Sequence, residues 1–230
     1  MKALLWIVSA VAIALGLAVP AGATIINVFD PDGSNLGGLA AIIPAPTDAG
    51  NNGAFGTAQQ GFDERQGVVL PMDIVVDGLG IISLGTVVDS HMIFLNQEPG
   101  GPNVGIQHFK VEWTFGGEIL GVMSQSRGEM EVATSAFLGV PGTLYPLAPF
   151  NARGMEGNDD GMGPAGDGTS GPDGYTILDP FRLRVGMGVT EPGDWIRVIT
   201  RPQVPEPTTL ALLGAGLLLA ALSRARSEKS

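Results

Sequence analysis

An all-β body, built as an antiparallel β-sandwich, is what the middle of this sequence predicts, and three observations predict it. From Ile106 to Phe115, the apolar residues Phe109, Val111, Trp113 and Phe115 alternate with His108, Lys110, Glu112 and Thr114, the two-residue period of a half-buried strand. The alternation returns in Phe181 to Val189, with Leu183, Val185 and Met187 on one face and Arg182 and Arg184 on the other. Turn residues separate short β-branched runs at fairly even spacing, and no segment of the body sustains a 3.6-residue period.

The chain opens on Met1-Lys2, a short positive region, followed by apolar Ala3 to Val19. Pro20-Ala21-Gly22-Ala23 then supplies a breaker and a small-residue cleavage site at Ala21 and Ala23. Residues 1–23 therefore read as a signal peptide that the export machinery engages and signal peptidase removes, leaving Thr24 as the first residue of an exported domain spanning 24–203.

Within that domain Thr24 to Phe29 is a short strand, ended by the turn Asp30-Pro31-Asp32-Gly33. Gly37 to Gly61, rich in Gly, Ala, Pro and Asn, reads mostly as loop, with Ile42-Ile43 pairing briefly. Val68 to Val76 is a strand candidate in which Pro71 argues for an edge or a bulge. Gly78 to Leu84 and Thr86 to Asn96 follow as strands, and Gln97 to Val104 is turn material. Gly116-Gly117 turns the clearest strand, Ile106 to Phe115, into Glu118–Met123 as a hairpin. Met130 to Leu138 fits either a strand or a short helix. Glu191-Pro192-Gly193-Asp194 turns the chain into a last strand, Trp195 to Thr200.

The domain is long enough for one core of its own. It holds 8 basic and 21 acidic residues, near −13, against −11 for the whole chain. Such a surface repels nucleic acid and anionic lipid, so nucleic-acid binding is set aside. The sequence has no cysteine. An exported domain without disulfides is held by its core or by bound ions, and both thiol catalysis and cysteine-ligated metal are excluded.

Residues 204–230 have three parts. Val204, Pro205, Glu206 and Pro207 come first; the prolines fix φ and push their predecessors toward extended backbone, the shape in which a peptidase takes a substrate. Leu210 to Leu222 is an unbroken apolar run rich in the helix formers Leu and Ala. Even with Thr208, Thr209 and Ser223 it spans only about 24 Å as a helix, against about 30 Å for a bilayer core, which suits a temporary anchor. Arg224 and Arg226, with Lys229, form a basic stop that stays in the cytoplasm and leaves everything before Thr208 outside. A surface helix of a soluble domain would need a polar face, and none exists between Leu210 and Leu222.

Val204 to Arg226 resembles the tail of the PEP-CTERM proteins, bacterial exported proteins whose Val-Pro-Glu-Pro motif, apolar helix and Arg-containing end are recognised by the membrane transpeptidase exosortase. The resemblance implies that Val204, Pro205, Glu206 and Pro207 are the recognition and cleavage motif and that exosortase is a partner. Phrases such as Leu138-Gly139-Val140-Pro141-Gly142-Thr143-Leu144-Tyr145 are similar to phrases in the bodies of other PEP-CTERM passengers, which implies a shared fold and no activity.

Candidate chemistry in the body is sparse. Asp89-Ser90-His91 holds the residue types of a hydrolase triad, but neighbours on a strand point to opposite faces, so Ser90 is not expected to join the other two. No G-x-S-x-G elbow occurs, and two histidines, His91 and His108, are too few for a multi-histidine zinc site. The expectation is a non-enzymatic protein, with a secreted hydrolase as the weaker alternative. The Gly-rich stretch Gly154 to Gly174 carries Asp159, Asp160, Asp167 and Asp173, carboxylates suited to calcium. EF-hand spacing fails there, since Met162 and Thr169 stand at the fifth and twelfth positions from Asn158; a solvated acidic loop is the other reading. Gly/Asn/Asp-rich loops near Trp113, Trp195 or Tyr175 would suit exopolysaccharide, making a carbohydrate-binding module the alternative function. The sequence as a whole reads as an exported surface or matrix protein, anchored for a time in the inner membrane through its C-terminal helix.

Overall fold

The computed structural model describes residues 24–50, 53–97, 105–146, 154–155, 163–190 and 193–203. The signal segment, the tail, Asp159 and Asp160 lie outside the described residues. In chain order the elements are β1 (Ile25–Phe29), β2 (Ala41–Ile42), β3 (Gln60–Asp63), β4 (Val68–Val69), β5 (Ile74–Val76), β6 (Gly80–Ile82), β7 (Val87–Leu95), β8 (Ile106–Phe115), β9 (Ile119–Met123), α1 (Glu129–Leu138), β10 (Gly174–Asp179), β11 (Arg182–Val189) and β12 (Asp194–Thr200). Gly22–Pro202 forms one compact unit.

The body is mostly β and has several sheets. One has the order β1-β8-β11-β10. A larger one has the order β2-β3-β7-β12-β9, with β4 pairing β7 off that path, and β5-β6 is a separate two-stranded sheet. The two larger sheets share a core. Ile106, Val111, Trp113 and Phe115 of β8 and Leu183, Val185, Met187 and Val189 of β11 cluster with Ile93 and Leu95 of β7 and Ile196 and Val198 of β12. Each such burial stabilises by roughly 1.5–3 kcal/mol.

All seven residues of β12 are buried, which is why it does not alternate. Ile196 and Val198 face the shared core. Trp195 and Ile199 belong to two other clusters on the far face, under the β5-β6 hairpin and the segments around Ala49 and Tyr145. Helix α1 forms because Glu, Met, Ala and Leu favour it and because Glu129 and Glu131 sit in its positively polarised first turn. It stops at Gly139, whose N–H donates to the Ser135 carbonyl.

Several expectations change. The turn at Gly116-Gly117 does not make a hairpin: β8 pairs β1 and β11, whereas β9 crosses to the other sheet and pairs β12. β2 and β3 pair in parallel, an exception to the antiparallel rule, and β3 lies at the end of the stretch read as loop. Pro71 divides Val68–Val76 into β4 and β5. Of the two readings open for Met130 to Leu138, the helix is the one observed; its buried residues Glu131, Thr134 and Leu138 follow a helical spacing, but two are polar, so no apolar period marks it. The inward face of β8 also switches part-way. Phe109 and Lys110 together oppose Gly186, between the pairs Val111–Val185 and His108–Met187, and Lys110 takes φ 63°. This bulge puts His108 inside and Phe109 on the outer face. Gly186 is required there: a Cβ on it would lie 2.4 Å from Phe109 Cδ1. The freed Lys110 N–H donates to the Gly168 carbonyl at 2.7 Å.

Candidate functional site

The last strand of the body lies inside a sheet, between β7 and β9. Thr200 ends β12 and pairs with Asp89 of β7 on one side and Ile119 of β9 on the other. Beyond it the Arg201 N–H donates to the Glu118 carbonyl at 2.8 Å, and Arg201 Nε meets Glu118 Oε2 at 3.1 Å. β12 is therefore bonded on both sides and is not a free edge.

The same strand carries a buried and heavily bonded side chain. Arg197, fully buried, donates from Nε to Glu64 Oε2 at 2.7 Å and from Nη2 to Glu64 Oε1 at 2.8 Å. Its remaining N–H groups go to the Glu131 carbonyl, Thr134 Oγ1 at 2.6 Å and Ser135 Oγ at 3.1 Å, so all five donors are used. The guanidinium carbon sits 5.6 Å from the Tyr145 ring centroid and 5.5 Å from that of Trp195. Burial works against the Arg197 charge, but the facing Glu64 carboxylate outweighs it and raises the guanidinium pKa further. This cluster fastens α1 to the sheet. Glu131 is the exception within it: both carboxylate oxygens are buried with no protein hydrogen-bond partner. Burial pushes its pKa from the usual 4.5 to about 8, with Arg197 opposing and Asp77 and Glu64 adding to the rise, so the carboxyl is neutral at pH 7.

The Asp89-Ser90-His91 residues are separated as strand geometry requires. Ser90 Oγ donates to Glu64 Oε2 at 2.5 Å, and Asp89 Oδ1 accepts from the Gly67 N–H. His91 lies between Asp63 Oδ1 at 2.8 Å and Thr200 Oγ1 at 3.0 Å. His108 accepts the Gln59 N–H on Nδ1 at 2.9 Å, so its proton is on Nε2, 2.8 Å from Asp30 Oδ2. Burial lowers the His108 pKa below 6.5, and Asp30 offsets that only in part. The unfolded chain then binds more protons just below pH 6.5, and stability at this pair is lost as pH falls through that range.

Of the four acidic-loop carboxylates, the two described have separate roles. Asp167 is exposed and accepts the Thr169 N–H and Oγ1, with Arg184 Nη2 at 3.9 Å. Asp173 is buried; Oδ1 accepts the Gly188 N–H, while Oδ2 has no protein partner. Among the described residues no group of three His, Asp or Glu side chains stands close enough to hold a metal ion. Trp113 and Trp195 are buried, and Tyr175 donates to Asp77, so neither indole presents a face to a glycan. The surface instead offers a cleft of ≈ 360 Å³ beside the β8 bulge, lined by Asp32, Asn35, Gln107, Phe109, Lys110 and Thr169. Sequence reasoning missed it because the bulge turns Phe109 outward.

The C-terminal segment defines the class: proteins carrying a C-terminal sorting signal. The signal is the PEP-CTERM protein-sorting motif, whose family model matches residues 203–227. No curated protein and no solved structure gave a match to the chain. Among the described residues no helix is long and apolar enough to cross a membrane.

Proposed function

We propose that the protein is a non-enzymatic passenger with a β-sandwich body, delivered to the cell surface or extracellular matrix after exosortase cuts its tail. The observation that carries this reading is the PEP-CTERM match at residues 203–227. Pro205 and Pro207 keep Glu206 extended and free of helical hydrogen bonding. Leu210 to Leu222 holds the chain in the inner membrane for the time the cut needs, and Arg224 and Arg226 stop it from slipping through. Signal peptidase acts first, at Ala23. In the native host Glu206→Ala leaves tailed, full-length protein in the membrane fraction; normal release of that variant would remove Glu206 from the recognition motif.

Exopolysaccharide binding is the second reading, and the cleft beside Phe109 favours it. One half-buried ring with amide, hydroxyl and carboxylate groups around it matches the apolar face and hydroxyl edge of a sugar. Retention of the body on a glycan array, lost in Phe109→Ala, is the expected outcome. Weak calcium binding by Asp159, Asp160, Asp167 and Asp173 belongs to the same account of a disulfide-free exported domain. It requires the melting temperature to rise with millimolar calcium; an unmoved transition leaves a solvated loop.

A further inference from the structure

We propose that the β5-β6 hairpin is a bilayer-contacting surface that lays the body on the membrane while the tail is anchored. Exposed large apolar side chains gather within 69–87. Val69, Met72, Leu79, Ile81 and Leu84 are all more than half exposed, and Val75, at 44 %, stands directly across from Ile81. The opposite face of the hairpin is its structural face: Ile74, Val76 and Ile82 pack on Val88, Met123 and Ile199.

The hairpin is fixed in place. Asp77 Oδ2 accepts Ser124 Oγ at 2.6 Å and Tyr175 Oη at 2.9 Å, and Val76 fits against Gly121, where a Cβ would lie 2.7 Å from its methyl groups. At the tip, Leu79 is 63 % exposed and takes φ 59°, following Gly78 at φ 73°. A leucine in the left-handed region is unfavourable for the backbone, and Leu79 belongs to none of the buried apolar clusters. A strained, outward-facing leucine on a rigid support is better explained by a contact outside the chain than by the fold.

The occupant follows from where the chain leaves. The hairpin covers Ile199, one residue before the end of β12. From Pro202 to Leu210 the chain reaches at most roughly 28 Å. A membrane-inserted tail therefore keeps this face at high effective concentration over lipid. A second copy of the body, also near −13, is repelled. The same acidity makes zwitterionic lipid the better surface, since contact rests on apolar insertion and not on charge.

This rests on the reading of the tail as membrane-inserted, but it is tested on the Thr24–Gln203 body, which holds every strand of the compact unit Gly22–Pro202. The body is sedimented with large phosphatidylcholine vesicles. Leu79→Asn keeps a residue tolerant of positive φ and so preserves the fold; with Ile81→Ser, each lowers the partition coefficient about tenfold, as loss of one inserted aliphatic side chain implies. Leu144→Ser, an equally exposed leucine outside the hairpin, leaves partitioning unchanged. No vesicle binding by the parent body, an equal loss in Leu144→Ser, or a vesicle-independent dimer dissolved by Leu79→Asn overturns the proposal. An uncut tail on the mature protein, with vesicle binding intact, would instead refute only the sorting reading.

Discussion

Arg197 and Glu64 are worth more to this body as a pair than either is alone. With five donors satisfied and no exposure, removing the guanidinium strands a buried carboxylate. Arg197→Met is expected to destabilise by about 3–5 kcal/mol in denaturant unfolding, and adding Glu64→Gln to recover part of it. Glu131 behaves oppositely. Its folded pKa, about 8, lies above the unfolded value of 4.5, so the folded state holds the extra proton. Its contribution is full below pH 4.5 and is lost as pH rises through 8. Glu131→Gln keeps the shape without the titration. Unfolding free energies at pH 6 and pH 9 should therefore converge in that variant, with the parent markedly less stable at pH 9.

At the scale of elements, alternation located the strands that have one buried face, β8 and β11, and Leu183, Val185 and Met187 lie inside as their period requires. It could not place a bulge. Nothing in Phe109-Lys110 signals that a lysine adopts φ 63°, because that conformation is imposed by Gly186 opposite and the Gly168 carbonyl behind. Gly186→Ala should accordingly cost about 1–3 kcal/mol by overpacking against Phe109, visible as a lower denaturation midpoint at unchanged slope. Helix α1 was legible only as one of two readings, since its buried stripe is held by Glu131 and Thr134 through polar contacts to Arg197 rather than by apolar side chains. The hairpin's outward face was hidden for the opposite reason: Val75 and Ile81 read as ordinary strand residues, and only the packing of Ile74, Val76 and Ile82 shows which side is left bare.

For the whole molecule, the sorting signal was legible because it is linear chemistry: two prolines, an apolar run and a basic end act without any tertiary arrangement. The family match covers the same residues, 203–227. The body's chemistry was less legible because the residue types that suggest a site, His91, Ser90 and Asp89, each have a structural partner of their own, with Ser90 on the face opposite the other two. The central claim, that the tail is a substrate, is tested most directly by the C-terminal peptide of the surface-delivered protein from its native host, read by mass spectrometry. A chain ending at or beside Val204–Pro207 and lacking Leu210 to Ser230 is the predicted result. An intact Ser230 on that form would contradict it.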